Sequence, residues 1–568
     1  MLNEENLSCE KSLVVHLIII GFHHKKGHQI EYSYPLLNEP IDERWSNIGG
    51  LALPDGAHNR NKDLIYFHIP SIEQDQYSNK TLFGIASYRQ IDANTVINKE
   101  ADVTRNSIQK SVCLILRKVP VYGNISEELE MLTEKYFQEK NFNERKFFED
   151  FVDSLNKNPP EFDLKYYSAR DLVIRYRRRT LILFKLILLQ KKVLFILSPI
   201  QNLVQTIMNL VSLIPGLIET GLNECTFIDD KNNIENDFEL NENEDIVFDR
   251  NINKRLDFDS IKLKTLKISD NDEPEEEDED DDDEDEIKNN KINLLKRATS
   301  ITNKLTDTFN RLTTNHSVSI EINNEENLTS FDQCQFSYEL FKKNNLLYPY
   351  LSIHSLDIIN NKDVNSYIIG ASNGLFRQQN NLDFILIDND EDFQILSSEL
   401  KQQLQLTTAD LRFTQLFEDS QSNVKTEEEI RRLFKIYFLS LLSVARTPND
   451  QGINDFNSSF MKSFQSTNSF HLWQSKGPYP RMDQIPARHP QSGQLNVTDV
   501  KLRVAHALDD TETGRKLKNA LEDTSQFMGD KSRAASKVLG QAKNSIFSSF
   551  VGTINQGKQW LAKNPSSS

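Results

Sequence analysis

The run Leu13-Val-Val-His-Leu-Ile-Ile-Ile20 is apolar at every position except His16, and it leads directly into Gly21-Phe-His-His-Lys-Lys-Gly-His28 and Gln29-Ile-Glu-Tyr-Ser-Tyr-Pro35. Its β-branched content, with a glycine on either side of Phe22–Lys26, predicts a strand, a tight turn and a second strand. The fold therefore opens with a hairpin. Leu51–His58, Leu64–Pro70 and Thr81–Gln90 read as repeats of a turn followed by a strand, and Ser111–Leu116 as a further strand closed by Arg117, Lys118 and Pro120. Helical spacing takes over at Ile125, Leu129, Leu132, Tyr136 and Phe137 and returns over Phe147–Leu155. Strands followed by helices predict a sheet with helices on its faces, a small α/β domain.

The most apolar stretch is Leu181–Leu197, followed by Asn202–Leu213 and Pro215-Gly216. A membrane span needs about 20 apolar residues without charge, whereas Lys185, Lys191 and Lys192 interrupt the first run and Gln205, Asn209, Ser212 and Pro215 the second. The spacing predicts a helix over Thr180–Gln190, a basic turn, a strand over Val193–Leu197 buried on both faces, and another helix. Strands resume around Leu346–Tyr350, Ser366–Gly374 and Phe384–Asp390. From Leu406 the chain turns helical, with Thr426 and Glu429 at capping-box spacing ahead of Leu433, Ile436, Tyr437, Leu441 and Val444.

Charge divides the rest. The formal net charge is −18, yet residues 272–286 are Asp or Glu at every position except Pro274, leaving the remainder mildly acidic. Such a block repels itself and cannot bury apolar surface, so residues 226–334 are expected to be a disordered acidic insert, of which 235–325 are dispensable for folding. It lacks the alternating ligands and glycine turn of an EF-hand loop. Beyond Asp530 there is no acidic residue, while Lys531, Arg533, Lys537, Lys543, Lys558 and Lys563 are basic. Along that tail Leu539, Ile546, Phe550 and Ile554 share one helical face with Ala535, Ala542, Gly557 and Leu561. That stripe suits an interfacial helix inserting Leu539, Ile546, Phe550 and Ile554 into a membrane surface, and it suits equally well a helix docked on the folded body or on a partner.

The strings Gly21–Gly27, Leu53–His58, Tyr88-Arg-Gln90, Asn373–Gln379 and Thr407–Phe413, together with the order of helix, paired basic residues and apolar strand over Arg170–Ile218, resemble a DENN module of the Avl-nine branch. The resemblance covers about residues 12–508. It implies an α/β, two-lobed architecture: a longin-like upstream lobe at 12–160, a central α/β lobe at 165–225 and 335–398 split by the insert at 226–334, a helical downstream segment at 399–508, and a basic amphipathic tail at 509–568. It also implies vesicle transport in the late secretory and recycling pathway, binding to a Rab-type small GTPase with promotion of nucleotide exchange, and a cytoplasmic protein held peripherally on Golgi, secretory-vesicle or recycling-endosome membranes. Two alternatives stay open, a membrane-recruited scaffold without exchange activity and an integral membrane protein anchored near 203–218.

No Gly-x-x-x-x-Gly-Lys-Ser/Thr, Gly-x-Gly-x-x-Gly or His-Glu-x-x-His string occurs, and Gly370-Ala-Ser-Asn-Gly374 reads as a glycine turn. Cys9, Cys113, Cys225 and Cys334 share no close spacing, which gives neither a disulfide framework nor a zinc site. No catalytic, cofactor or metal residue is therefore assigned, and no cofactor, nucleic acid or small-molecule substrate is expected. The acidic residues at Glu4, Glu5 and Glu10 are the opposite of a signal-peptide start. His23, His24, Lys25, Lys26 and His28 read as a solvated turn with partner contact open. Arg175 and Arg177–Arg179 read as the flank of a helix, with contact to acidic lipid or a partner open.

Overall fold

The computed structural model describes residues 12–72, 80–97, 106–119, 124–161, 163–228, 330–334, 336–379, 382–387, 393–418 and 425–495, together with 499, 502, 503 and 506. The acidic run and the amphipathic tail, with Leu539, Ile546, Phe550 and Ile554, lie outside these residues.

The opening run forms β1 (Val14–His23), which turns at Gly27, where φ is 73°, into β2 (Gly27–Tyr34). A one-turn helix α1 (Ile48–Ala52) follows, then β3 (Lys62–Pro70), β4 (Thr81–Asp92) and β5 (Ser107–Leu116). These strands make an antiparallel sheet in the order β2-β1-β5-β4-β3. Leu17, Ile18, Ile19 and Ile20 are all fully buried. Because successive side chains of a strand point to opposite faces, both faces of β1 are covered, which is why this strand reads as a continuous apolar run. Helices α2 (Asn124–Gln138) and α3 (Lys146–Lys157) pack on this sheet, α2 against β4 and β5 and α3 against β1. Leu51–His58 contains no strand: it is the end of α1 and a turn at Pro54-Asp55-Gly56, with Gly56 at φ 75°.

The most apolar stretch builds the second half. Helices α4 (Ala169–Tyr176) and α5 (Arg179–Leu188) lead into β6 (Lys192–Ile196), then α6 (Ile200–Val211) and α7 (Leu217–Thr220). After the insert come β7 (Asn345–Tyr348), α8 (Leu356–Asn360), β8 (Ser366–Ala371), β9 (Phe384–Ile387) and β10 (Phe393–Ile395). The order is β10-β9-β6-β8-β7, with β6 parallel to both β8 and β9. Val193, Leu194 and Phe195 have no exposed surface. Ile196, at the strand end, is only half-buried, so the expectation of burial on both faces holds for its three predecessors and not for it.

The 203–218 region is core. Helix α6 buries Ile200, Leu203, Val204, Ile207, Met208, Leu210 and Val211, because it packs against β3 of the first sheet and β8 of the second. At Gly370 in β8 a Cβ atom would lie 2.0 Å from Pro349 O and 2.9–3.0 Å from Ile207 and Leu203, so only glycine lets the helix settle on that strand. Among the described residues no helix is long and apolar enough to cross a membrane, so the anchored alternative has no span at 203–218.

Both ends of residues 226–334 join this core. Thr226 and Thr81 share a 2.9 Å hydroxyl hydrogen bond, and Phe331 and Cys334 are buried. Helices α9 (Ser398–Gln403), α10 (Thr408–Glu418), α11 (Glu427–Arg446), α12 (Asp450–Asp455), α13 (Ser458–Gln465) and α14 (Asn468–Lys476) complete the fold. Helix α11 starts with the expected capping box, Thr426 N–H donating to Glu429 and Glu429 N–H to Thr426 Oγ1.

Candidate functional site

The string Leu53–His58 lies at the junction of the two sheets. The turn after α1 is held from the far side of the chain. Asp55 N–H donates to Tyr350 Oη (3.1 Å), Asp55 Oδ2 accepts from Ile353 N–H (3.0 Å), and Asp55 O accepts from Ser372 Oγ (3.4 Å). Asn47 Nδ2 donates to His354 O (3.1 Å), and the rings of His28 and His354 meet edge to face at 5.8 Å. Gln90 Nε2 reaches His58 O at 3.4 Å. Helix α1 can come this close only because Gly49 has no side chain, since a Cβ there would lie 2.6 Å from His28 Cβ. Asp63, buried in β3, accepts from the backbone N–H groups of Ile200 and Gln201 and so caps α6 from the other sheet. Burial raises its carboxyl above the ordinary range, against the pull of Arg60. Burial also lowers His28, assisted by His354, so His28 is held neutral beside its partner.

A second node lies where the downstream helices meet α5. Lys185 Nζ, on the most apolar helix, donates to Asp410 Oδ2 (2.8 Å) and to Phe456 O (3.2 Å). Asp410 Oδ1 accepts from Tyr437 Oη (2.8 Å) and lies 3.4 Å from His489 Nε2. Lys185, Asp410 and His489 have no exposed surface. Burial alone would raise the Asp410 carboxyl, but the Lys185 ammonium and His489 outweigh it and hold the group well below the carboxylate range. Nearby, Arg412 pairs with Asp499 and donates to Gln491 O and Gln494 O. The first turns of α11 clamp two more helices. Glu427 accepts from Ser168 Oγ and Ala169 N–H (each 2.8 Å) at the start of α4, and Arg431 donates to Ser212 O and Oγ at the end of α6.

Asp455 is the poorly placed member of this node. Burial pushes its carboxyl up to about 6, Asp410 adds to the rise, and Arg412 offsets only part of it. A carboxyl whose folded pKa exceeds its unfolded value of 3.8 costs stability while ionised, and that cost is relieved as pH falls through 6. Asp455→Asn is therefore expected to stabilise the protein by about 1–2 kcal/mol at pH 8, after discounting for the side chain's partial exposure. The gain should shrink between pH 6 and 4 and vanish below that range. Chemical unfolding across this pH series checks it, and a gain that grows on acidification would contradict it.

His23 and His68 hold structure. His23 Nδ1 accepts from Lys25 and Lys26 N–H (3.2 Å each) and so ties the hairpin turn. His68 Nδ1 lies 3.0 Å from Leu347 O and 3.3 Å from Cys225 Sγ. Burial takes His68 down to about 3 and pushes the Cys225 thiol up. A neutral imidazole beside a protonated, enclosed thiol is the reverse of an activated nucleophile. The two stand 157 residues apart, so no spacing in the sequence could have paired them. Cys113, Cys225 and Cys334 are buried free thiols. Among the described residues no three His, Cys, Asp or Glu side chains are placed to hold a metal.

The chain is thus a two-sheet α/β protein with a helical downstream part, whose charged nodes join one part of the fold to another. A family model described as transport protein Avl9 matches residues 14–445, and the chain belongs to that family. It is similar to the late secretory pathway protein avl9 of Schizosaccharomyces pombe, 33% identical over 208 residues, which is 36% of this chain and 43% of that protein. It is also similar to the late secretory pathway protein AVL9 of Saccharomyces cerevisiae, 30% identical over 234 residues, which is 37% of this chain and 30% of that protein. Each match spans less than half of the relative's length.

Proposed function

We propose that this chain acts in vesicle transport of the late secretory or recycling pathway as a DENN-type module that engages a Rab-type small GTPase and promotes its nucleotide exchange. The observation that carries this reading is the order of parts. An antiparallel five-stranded lobe comes first, a parallel-centred five-stranded lobe divided by a long insert second, and a helical segment third. That is the order the resemblance implies, and the names of both yeast relatives supply the late secretory pathway, while recycling is implied by the resemblance alone. Exchange asks for no acid, base or nucleophile. A catalyst that binds the open form of a GTPase switch region better than the closed form shifts the GTPase toward nucleotide release. Residues Leu539, Ile546, Phe550 and Ile554 of the tail would hold the module on a Golgi, vesicle or recycling-endosome surface by apolar insertion.

The test is purified full-length protein with a panel of Rab-type GTPases loaded with a fluorescent GDP analogue. Accelerated release from at least one of them supports the reading. Binding without acceleration leaves a scaffold that holds transport partners, and neither binding nor acceleration across the panel overturns the GTPase reading.

A further inference from the structure

The chain holds two Ser/Thr-Pro dipeptides, Ser198-Pro199 and Thr447-Pro448. Ser198 lies between the buried Leu197 and, past Pro199, the buried Ile200, and its Oγ accepts from Arg60. Drawing it out would uncover the core at the start of α6. Thr447 is placed differently. It closes α11 at φ −122° and ψ 76°, outside the helical region, and Pro448 stops the helix from continuing. Thr447, Pro448, Asn449 and Asp450 are all exposed, and Asn449 is extended at φ −138° and ψ 151°. The fold thus offers a hydroxyl, a proline and two further uncovered residues on an open loop, the shape in which a kinase cleft takes a substrate.

The surroundings suit a negative charge. Arg446, the last residue of α11, pairs with Asp483, and its Nε is enclosed without an acceptor among the described residues. Asn449 Nδ2 donates to Ala487 O at 2.7 Å, which brings the backbone next to Arg488 alongside the same loop. The Arg488 side chain is half-buried, and its Nε is likewise enclosed without an acceptor among the described residues. Enclosed N–H donors are costly to leave unpaired, and a phosphate supplies three strong acceptor oxygens. The acidic groups at the loop are Asp450 and Asp483. The Asp483 side chain is 83% exposed, so water can take over from Arg446 at little cost.

We propose that Thr447 is a phosphoacceptor for a proline-directed protein kinase and that Arg446 and Arg488 hold its phosphate. The kinase moves the γ-phosphoryl group of Mg-ATP: the bond from phosphorus to the β,γ-bridging oxygen breaks, a bond to Thr447 Oγ1 forms, the hydroxyl proton passes to the kinase's base, and ADP leaves. Thr447 Oγ1 donates to Ser443 O at 2.9 Å in the unmodified protein, and the ester oxygen has no proton with which to keep that bond. The phosphate also stands at the carbonyl end of a 20-residue helix, where the macrodipole opposes it. The two arginines offset both effects. Arg446 leaves Asp483 for the phosphate, which frees Asp483 from the end of α11, while Ser443 Oγ still holds Ile485 O.

The test is incubation of the folded full chain with Mg-ATP and, in turn, a cyclin-dependent and a mitogen-activated protein kinase, with sites read by peptide mass spectrometry and Thr447→Val as control. Phosphate should accumulate at Thr447 well ahead of Ser198. In phosphorus NMR of the phosphorylated chain, the second ionisation of the phosphothreonine should fall below its ordinary value of about 6, because neighbouring positive charge favours the dianion. Arg488→Gln should return it toward that value, and Arg488→Lys should keep part of the shift. If Arg488→Gln melts early before phosphorylation, Arg446→Gln repeats the measurement. Thr447 left unmodified by both kinases, labelled only after heat denaturation, or passed over in favour of Ser198 overturns the proposal. A labelled Thr447 whose second ionisation is unshifted in wild type overturns the assignment of the arginines.

Discussion

Lys185→Met is expected to destabilise the protein by about 3–5 kcal/mol, because it leaves the Asp410 carboxylate buried without its ammonium. Tyr437, Thr407 N–H and His489 would still face Asp410, but no full positive charge would. Two further results follow. Burial would then raise the Asp410 carboxyl, so the variant should regain stability as pH falls, an acid response that wild type lacks at this site. Lys185→Met with Asp410→Leu should recover much of the loss, because a buried pair replaced on both sides by apolar groups is often tolerated. Denaturant unfolding of the three proteins at pH 7.5 and 5.5 is the measurement. Equal midpoints for wild type and Lys185→Met would mean that the pair is not enclosed in solution.

Leu194→Asp is expected to abolish folding. The residue sits in the middle of β6 with Ile369 of β8 on one side and Ile385 of β9 on the other, and it has no exposed surface. An unpaired carboxylate there costs several kcal/mol, comparable to the whole stability of a domain. Ile196→Asp, at the half-buried end of the same strand, should cost distinctly less. Soluble yield and a cooperative melt decide the matter. A soluble, cooperatively melting Leu194→Asp protein would remove β6 from the core.

Much of the architecture was legible because both sheets are enclosed, and enclosed strands are apolar throughout. Leu17–Ile20 and Val193–Phe195 announce themselves for that reason. Leu51–His58 misled, because a one-turn helix followed by Pro54-Asp55-Gly56 has the same punctuation as a turn and strand. The strand β10 was missed: three residues in which Gln394 is exposed carry too little pattern. The strings Leu53–His58 and Thr407–Phe413 stood out as words, but their meaning lay in partners far along the chain. Asp55 finds Tyr350, and Asp410 finds Lys185. Lys185 had first argued only against a membrane span. A sequence shows that a charge sits in an apolar run, and only the fold shows which opposite charge answers it.

The strand order of the second sheet also sets a timetable for synthesis. Both hydrogen-bonding edges of β6 are filled by β8 and β9, which lie beyond the insert. The ribosome must add roughly 170 residues after β6 before β8 exists, which takes about 8–35 s at ~5–20 residues per second. Through that interval β6 has been made without the strands that pair with its two edges. A longer insert would prolong that interval without altering which strands finally pair.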